Sequence, residues 1–155
     1  MRGFASVGLV RPKDLNNVGS VLRAAHCYNV SMVAIEGART PIKHSTDTPK
    51  AWRHTPVIRT DELRGIVPYA CVPVAVDLVD GATSLIDFQH PQSAFYIFGP
   101  EDGTLTSKTL DWCPHKIMIP TLSCMNLAAT VNVVLYDRML KNECRNQGLT
   151  WGKAA

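Results

Sequence analysis

The sequence has no C-x-x-C pair, no membrane-length apolar run, no internal repeat and no low-complexity tract. Each absence removes a class. The five cysteines, Cys27, Cys71, Cys113, Cys124 and Cys144, are odd in number and widely spaced. That argues against a disulfide framework and for a reduced, cytoplasmic set. Cys113 and His115 stand close together without a second pair to complete four ligands, so no structural metal is expected. No apolar stretch reaches the roughly 18 residues of a transmembrane helix, so no membrane association is expected. The stretch before Arg11 is apolar for only about seven residues and has no small-residue cleavage site, so a signal peptide is not expected either.

What is present is ordinary for a globular chain. The 155 residues are 46% hydrophobic and 19% charged, which points to a single domain over residues 1–155. A chain of this size buries about 70% of its extended surface and needs no covalent staples. The net charge of +3 is too small to announce a polyanionic partner. Its distribution is uneven: residues 1–64 carry ten Lys/Arg against five Asp/Glu, residues 65–136 two against six, and residues 137–155 four against two. Basic ends flank an acidic middle, which fits either a basic face for a polyanion or an uneven solvated surface.

Residues 4–10 (FASVGLV) form an apolar, β-forming run. Residues 12–17 read as a turn. From Val18 the period becomes helical, with Val18, Val21, Leu22 and Ala25 on one face up to about Tyr28-Asn29. Residues 31–36 are a second strand, completing a unit of βαβ size. Residues 38–56 read as an exposed connection with a short helix near Lys50–His54. Thr60 reads as the cap of a further short helix. Strands follow at 72–78, 94–98 and 115–119. A helix then runs from Asn126 to about Asn142, with Leu127, Val131, Val134, Leu135 and Met139 as its apolar stripe. Continuous apolar strands alternating with helices predict an α/β domain, its mostly parallel sheet covered by helices on both faces. Ligands in such sheets bind at the carboxyl ends of the strands, which directs attention to the loops after Val10, Leu78, Phe98 and Ile119.

Three of these loops carry polar residues worth weighing. In Asn16-Asn17-Val18-Gly19-Ser20-Val21-Leu22-Arg23, Gly19 permits close approach and the Arg23 guanidinium suits a bidentate phosphate. Alone, the same residues make a helix cap and a surface arginine. Phe98-Gly99-Pro100-Glu101-Asp102-Gly103-Thr104-Leu105 brings two acids to a glycine-bracketed turn. It lacks the phosphate-loop pattern, and its acids suit a hydroxyl, an amine or a sulfonium better than a phosphate. Its plain alternative is a tight turn before a helix capped at Thr106. Ile119-Pro120-Thr121-Leu122-Ser123-Cys124-Met125-Asn126-Leu127 is apolar at its edge and small and polar at its middle, as a purine-like group requires. Cys124 has no neighbouring His or Lys in sequence to make it a nucleophile. Asn126 alone is a helix cap.

Taken together and in this order, the three loops resemble the motifs of the SpoU-type branch of the SPOUT RNA methyltransferases. N-x-G-x-x-x-R is matched by Asn17, Gly19 and Arg23; F-G-x-E-x-x-G-L by Phe98, Gly99, Glu101, Gly103 and Leu105, with the second glycine one place early. The third motif, I-P…S-[LM]-N-[LV]-[SA] with a following L-Y-[DE], is matched by Ile119-Pro120…Cys124-Met125-Asn126-Leu127-Ala128 and Leu135-Tyr136-Asp137. The resemblance covers about residues 4–141, leaving 142–155 as a tail. It implies a sheet whose C-terminal segment forms a deep trefoil knot. It also implies S-adenosylmethionine held by Val76, Asp77, Leu78, Phe98, Gly99, Gly103, Ile119, Cys124, Met125 and Leu127. Arg23, Asn17, Glu101 and Asn126 then carry methyl transfer to a ribose 2′-hydroxyl of RNA. Arg23 would clamp a phosphate, because guanidinium is a poor base; a phosphate oxygen or Glu101 would take the proton.

Family members are homodimers with the active site near the interface, so the helix around Leu127–Tyr136 is expected there. Short members act on the wobble nucleotide of tRNA, which makes tRNA the first expectation. A ribosomal RNA substrate and a non-catalytic RNA-binding module that kept the knot are the alternatives. The basic segments supply candidate RNA contacts: Arg39, Lys43, Lys50, Trp52, Arg53 and Arg138. Two departures stand out. Cys124 replaces the family serine and is a weaker hydrogen-bond partner, and the third loop is shorter than in many members.

Overall fold

Ala5–Val10 forms β1, and all six of its residues are buried, as a continuous apolar run in a parallel sheet requires. The computed structural model describes residues 3–37 and 50–148. Along them follow α1 (Leu15–Cys27), β2 (Val33–Glu36), a 3-10 turn (Ala51–Arg53), β3 (Val57–Thr60) and a second 3-10 turn (Leu63–Ile66). Then come β4 (Val72–Val76), β5 (Thr83–Ser84), β6 (Ala94–Phe98), α2 (Ser107–Leu110), β7 (His115–Met118) and α3 (Leu127–Asn146).

All strands pair in parallel, in the order β3-β2-β1-β6-β4-β7-β5. Registers Leu9↔Phe98, Val76↔Phe98 and Val76↔Ile117 bring the carboxyl ends of β1, β6, β4 and β7 level. One face of the sheet, with Val7, Leu9, Ile35, Val76, Tyr96 and Phe98, packs against Val18, Val21 and Leu22 of α1 and Val131, Val134 and Leu135 of α3. The opposite face, with Val10, Ala34, Ala75, Phe95 and Ile97, is closed by Leu63 of a 3-10 turn, by Leu105, and by the partly buried Leu110 and Trp112. Helical turns therefore lie on both faces, but the two long helices share one. Gly8 faces the thinner layer. A Cβ there would sit 2.9 Å from both Leu63 Cδ1 and the Phe95 ring, so the close approach of Leu63 depends on glycine.

Several boundaries differ from expectation. α1 begins at Leu15, because Asp14 caps it by accepting from the Asn16 N–H at 2.8 Å. Asn17 is thus inside the first turn instead of ahead of it. Residues 57–60, expected to lie at a loop-to-helix junction, form the edge strand β3. Thr60 closes a local turn, accepting from the Glu62 N–H at 3.2 Å, and caps no helix. The strand expected over 72–78 stops at Val76, which releases Asp77 and Leu78 into a loop. In α3 the buried stripe runs through Arg138, and Met139 is exposed. Arg138 lies eleven positions after Leu127, nearly three whole turns, whereas Met139 is rotated about 120° from that face.

Candidate active site

Glu101 leaves the end of β6 and reaches the start of α1. Its carboxylate accepts from the Lys13 N–H at 2.9 Å, the Asp14 N–H at 3.2 Å and the Asn17 side-chain amide at 3.0 Å. The Asn17 carbonyl in turn accepts from the Asn126 side-chain amide at 2.7 Å. The Asn126 carbonyl caps α3, accepting from the Ala128 N–H at 2.9 Å and the Ala129 N–H at 3.3 Å. Three loops distant in sequence are thereby joined in one chain, Glu101–Asn17–Asn126, with each amide oriented by what it donates and accepts. Burial by itself would raise the Glu101 carboxyl. The hydrogen bonds from Asn17 and from the Lys13, Asp14 and Glu101 main chain outweigh it and hold the group below the ordinary carboxylate range.

Beside this chain opens a solvent-connected cleft with an inner volume of about 130 Å³. Val76, Asp77, Leu78, Phe98, Gly99, Gly103, Ile119, Cys124, Met125 and Leu127 all line it. So does Glu101, with Pro100, Met118, Thr121 and Thr130. The last four escaped the sequence argument. Thr130 had a local signal: four residues after the cap, its hydroxyl donates to the Asn126 main-chain carbonyl at 3.0 Å. Asp77 staples two of the loops together, its carboxylate accepting from the Leu105 N–H at 2.5 Å and the Leu78 N–H at 2.7 Å. Gly99 passes directly beneath it: a Cβ there would lie 3.2 Å from Asp77 Oδ2 and 3.4 Å from Leu105.

Arg23 is exposed on α1 and does not line the cleft. It stands about 9 Å further along the helix axis than Asn17. Three residues on, His26 stacks against His54 at 5.1 Å between ring centroids, joining α1 to the turn at Ala51–Arg53. Residues three apart share a helix face, so Arg23 is on the side of that turn. Trp52 is 40% exposed there, with the Arg53 guanidinium 5.3 Å from its ring centroid. Lys50 is exposed as well. Arg39 and Lys43 lie outside the described residues.

Arg138 needs correction as an RNA contact. It is 6% exposed and donates to the carbonyls of Pro91 (2.7 Å), Gln92 (2.6 Å) and Phe4 (3.3 Å) and to the Tyr96 hydroxyl (3.2 Å). Lys141 is likewise buried, donating to the carbonyls of Leu85 at 2.5 Å and Phe88 at 3.1 Å. These cations bind main-chain carbonyls of the irregular segment before β6 and, at Phe4, of the residue before β1. Among the described residues no group of three His, Cys, Asp or Glu side chains is placed to hold a metal ion, and no helix is long and apolar enough to cross a membrane.

A parallel sheet with a cleft at its carboxyl edge and these three motifs around it is an α/β domain with its candidate ligand site at the strand ends. The chain belongs to the SpoU rRNA Methylase family, whose match spans residues 5–136. Among solved structures it is similar to the SpoU methyltransferase AviRb from Streptomyces viridochromogenes, with 19% identity and a TM-score of 0.78, covering 96% of this chain and 62% of that one. It is also similar to an AdoMet-bound rRNA methyltransferase from Sinorhizobium meliloti, with 20% identity and a TM-score of 0.79, covering 92% and 57%. A third similar structure is described by its work on 2-OH methylation of C/U34 on tRNA, with 19% identity, a TM-score of 0.75, and coverage of 91% and 92%. At such identities the likeness establishes the fold. The chain spans about three-fifths of the length of the first two. No curated protein sequence matches it.

Proposed function

We propose that the protein transfers a methyl group from S-adenosylmethionine to a ribose 2′-hydroxyl of RNA, with tRNA as the substrate. The observation that carries this is the Glu101–Asn17–Asn126 chain at the mouth of the cleft. The residues present fit the cofactor. Phe98, Ile119, Met125 and Leu127 give the cleft apolar walls, Gly99 leaves space beneath Asp77, and the carboxylates of Asp77 and Glu101 suit a cation. When bound, S-adenosylmethionine supplies an electrophilic methyl group on a sulfonium. Two structures of this fold were solved with it.

In this reading the chain's own residues orient and hold. Arg23, always charged, clamps a phosphate next to the target ribose. Asn126 fixes the third loop over the cleft while its amide holds Asn17. Glu101 keeps its charge, and both its oxygens are already occupied. Its part is therefore to hold the start of α1 and orient Asn17 instead of accepting the hydroxyl proton. Trp52, Arg53 and Lys50 continue the RNA contact from Arg23. The threading of the chain after β7 into a trefoil knot belongs to the same proposal. So does a homodimer built on the exposed face of α3, where Val133, Tyr136 and Met139 lie.

The tRNA substrate is favoured by the structure described for C/U34 methylation, the one of the three whose length this chain nearly matches. A ribosomal RNA substrate is the second reading, favoured by the AdoMet-bound rRNA methyltransferase of the same fold. Purified protein incubated with methyl-labelled cofactor and unmodified tRNA, then digested to nucleosides, decides. Label in a 2′-O-methylated nucleoside supports the proposal; label transferred only to ribosomal RNA shifts the substrate. Absence of both transfer and cofactor binding makes the chain a non-catalytic module. Cys124, exposed on the cleft in the serine's place, is then the residue to revert.

A further inference from the structure

His90 is buried, with its side chain 0% exposed, between β6 and α3. Its Nδ1 lies 2.6 Å from the Tyr96 hydroxyl and its Nε2 lies 2.7 Å from Asp137 Oδ2. Counting protons fixes the arrangement. Arg138 can only donate, so the Tyr96 oxygen accepts from it at 3.2 Å, and the Tyr96 hydroxyl proton remains to be given away. Burial pushes the Tyr96 phenol up to about 12, so that proton stays in place at neutral pH. Asp137 also accepts from Lys141 at 2.8 Å and, as a carboxylate, can only accept. Tyr96 therefore donates to Nδ1, and Nε2–H donates to Asp137. A second ring proton would point at the Tyr96 hydroxyl and leave the phenol proton with no acceptor in a closed space.

The charged surroundings act the same way. Asp137, Arg138 and Lys141 from α3 and Tyr96 from β6 face the ring, Phe88 packs edge-on at 5.1 Å, His115 of β7 lies beyond Phe88, and Arg145 donates to the His90 carbonyl at 3.3 Å. One half-buried carboxylate already faces two buried cations, and a charged imidazole would be a third.

We propose that His90 is a positioning residue: held neutral with its proton on Nε2, it links Tyr96 to Asp137 and so sets how α3 presents Asn126 to Asn17. The geometry supports the route. β6 runs from Tyr96 to Phe98 and on to Glu101, while α3 runs back from Asp137 to its cap at Asn126. The link thus ties together the two elements that carry opposite ends of the Glu101–Asn17–Asn126 chain. Its consequence for turnover rests on the methyl-transfer reading above; its protonation state does not.

The test uses the full chain with ring-¹⁵N histidine. The expected spectrum has one neutral Nε2–H imidazole that is absent in His90→Gln and stays neutral at the reference histidine midpoint of about 6.5. Tyr96→Phe, which removes the hydroxyl that donates to Nδ1 and accepts from Arg138, should release that tautomer preference. In transfer assays at saturating cofactor, His90→Leu should lose about tenfold or more in kcat with cofactor affinity nearly unchanged, while His90→Gln, which keeps a donor and an acceptor, should restore most of it. If His90→Leu does not fold, the Tyr96→Phe spectrum and the His90→Gln rate still decide. An Nδ1–H tautomer, titration of His90 with the fold intact, or equal rates for the Leu and Gln variants overturns the proposal. If no variant or parent transfers methyl, the methyl-transfer reading fails and the spectrum alone decides the state of His90.

Discussion

Asn126 and Asn17 meet across 109 positions of sequence, amide to carbonyl at 2.7 Å, and the contact joins the first turn of α1 to the cap of α3. Its removal from either side has separable effects. Asn126→Ala loses both the bond and the cap, so it should cost about 1 kcal/mol of stability in addition to activity. Asn17→Ala keeps the cap and should lower kcat with a smaller change in the urea midpoint. Labelled-methyl transfer and urea unfolding on the two variants check this. Equal stability losses would mean that the cap at Asn126 carries nothing.

Glu101 gives a pH dependence with a definite sign. Its folded value lies below the ordinary 4.5, so the unfolded chain binds the proton more tightly. Its contribution to stability is complete above about pH 4.5 and disappears as pH falls through the folded value. Glu101→Gln should flatten the stability curve in that acid window and leave it unchanged near neutrality apart from a constant offset. Urea midpoints measured from pH 7 to pH 3 on both proteins show whether the two curves converge.

Gly99→Ala tests the cleft without touching the Glu101–Asn17–Asn126 chain. The new methyl would press on Asp77 Oδ2 at 3.2 Å and on Leu105 at 3.4 Å, forcing apart the loops that Asp77 staples. Cofactor affinity, measured by calorimetry, should fall about tenfold, the equivalent of roughly 1.4 kcal/mol, while the thermal midpoint changes little. Unchanged affinity would place the cofactor elsewhere.

Arg138→Ala should destabilise by about 3 kcal/mol, because it removes the buried guanidinium that donates to three carbonyls and a hydroxyl. Arg138→Lys should recover little, since one ammonium cannot span the four acceptors that a planar guanidinium reaches. RNA affinity of the folded fraction should be unaffected, in contrast to Arg53→Ala. Denaturant curves and filter binding at matched salt separate the two residues.

The strands that were legible in sequence are β1, β2, β4, β6 and β7, of which β1 and β6 are continuous apolar runs buried throughout. β3 is an edge strand with Ile58 and Arg59 exposed, so its composition resembles a loop, and the two residues of β5 are too few to form a pattern. The site was legible because its side chains sit at strand ends in recognisable order. Every residue assigned to the cofactor from sequence lines one cleft. The roles were less legible. Nothing local reveals that Glu101 is spent on the first turn of α1, or that Arg138 and Lys141, basic residues near the end of a helix, point inward. Those facts depend on where the carbonyls of the segment before β6 lie, and α3 meets them only when it docks.

The position of β6 between β1 and β4 also sets the order in which the protein can come into being. A growing polypeptide that has not yet reached residue 126 has no cover over the face formed by Val7, Leu9, Val76, Tyr96 and Phe98, and no final wall for its cleft. Ribosomes add about 5–20 residues per second, and pairing strands this far apart is slow. The nascent chain therefore carries an uncovered apolar sheet until its last helix arrives. Competence is acquired only once α3 has been made, and all at once, and chains cut before α3 should be claimed by chaperones or aggregates instead of surviving half-folded.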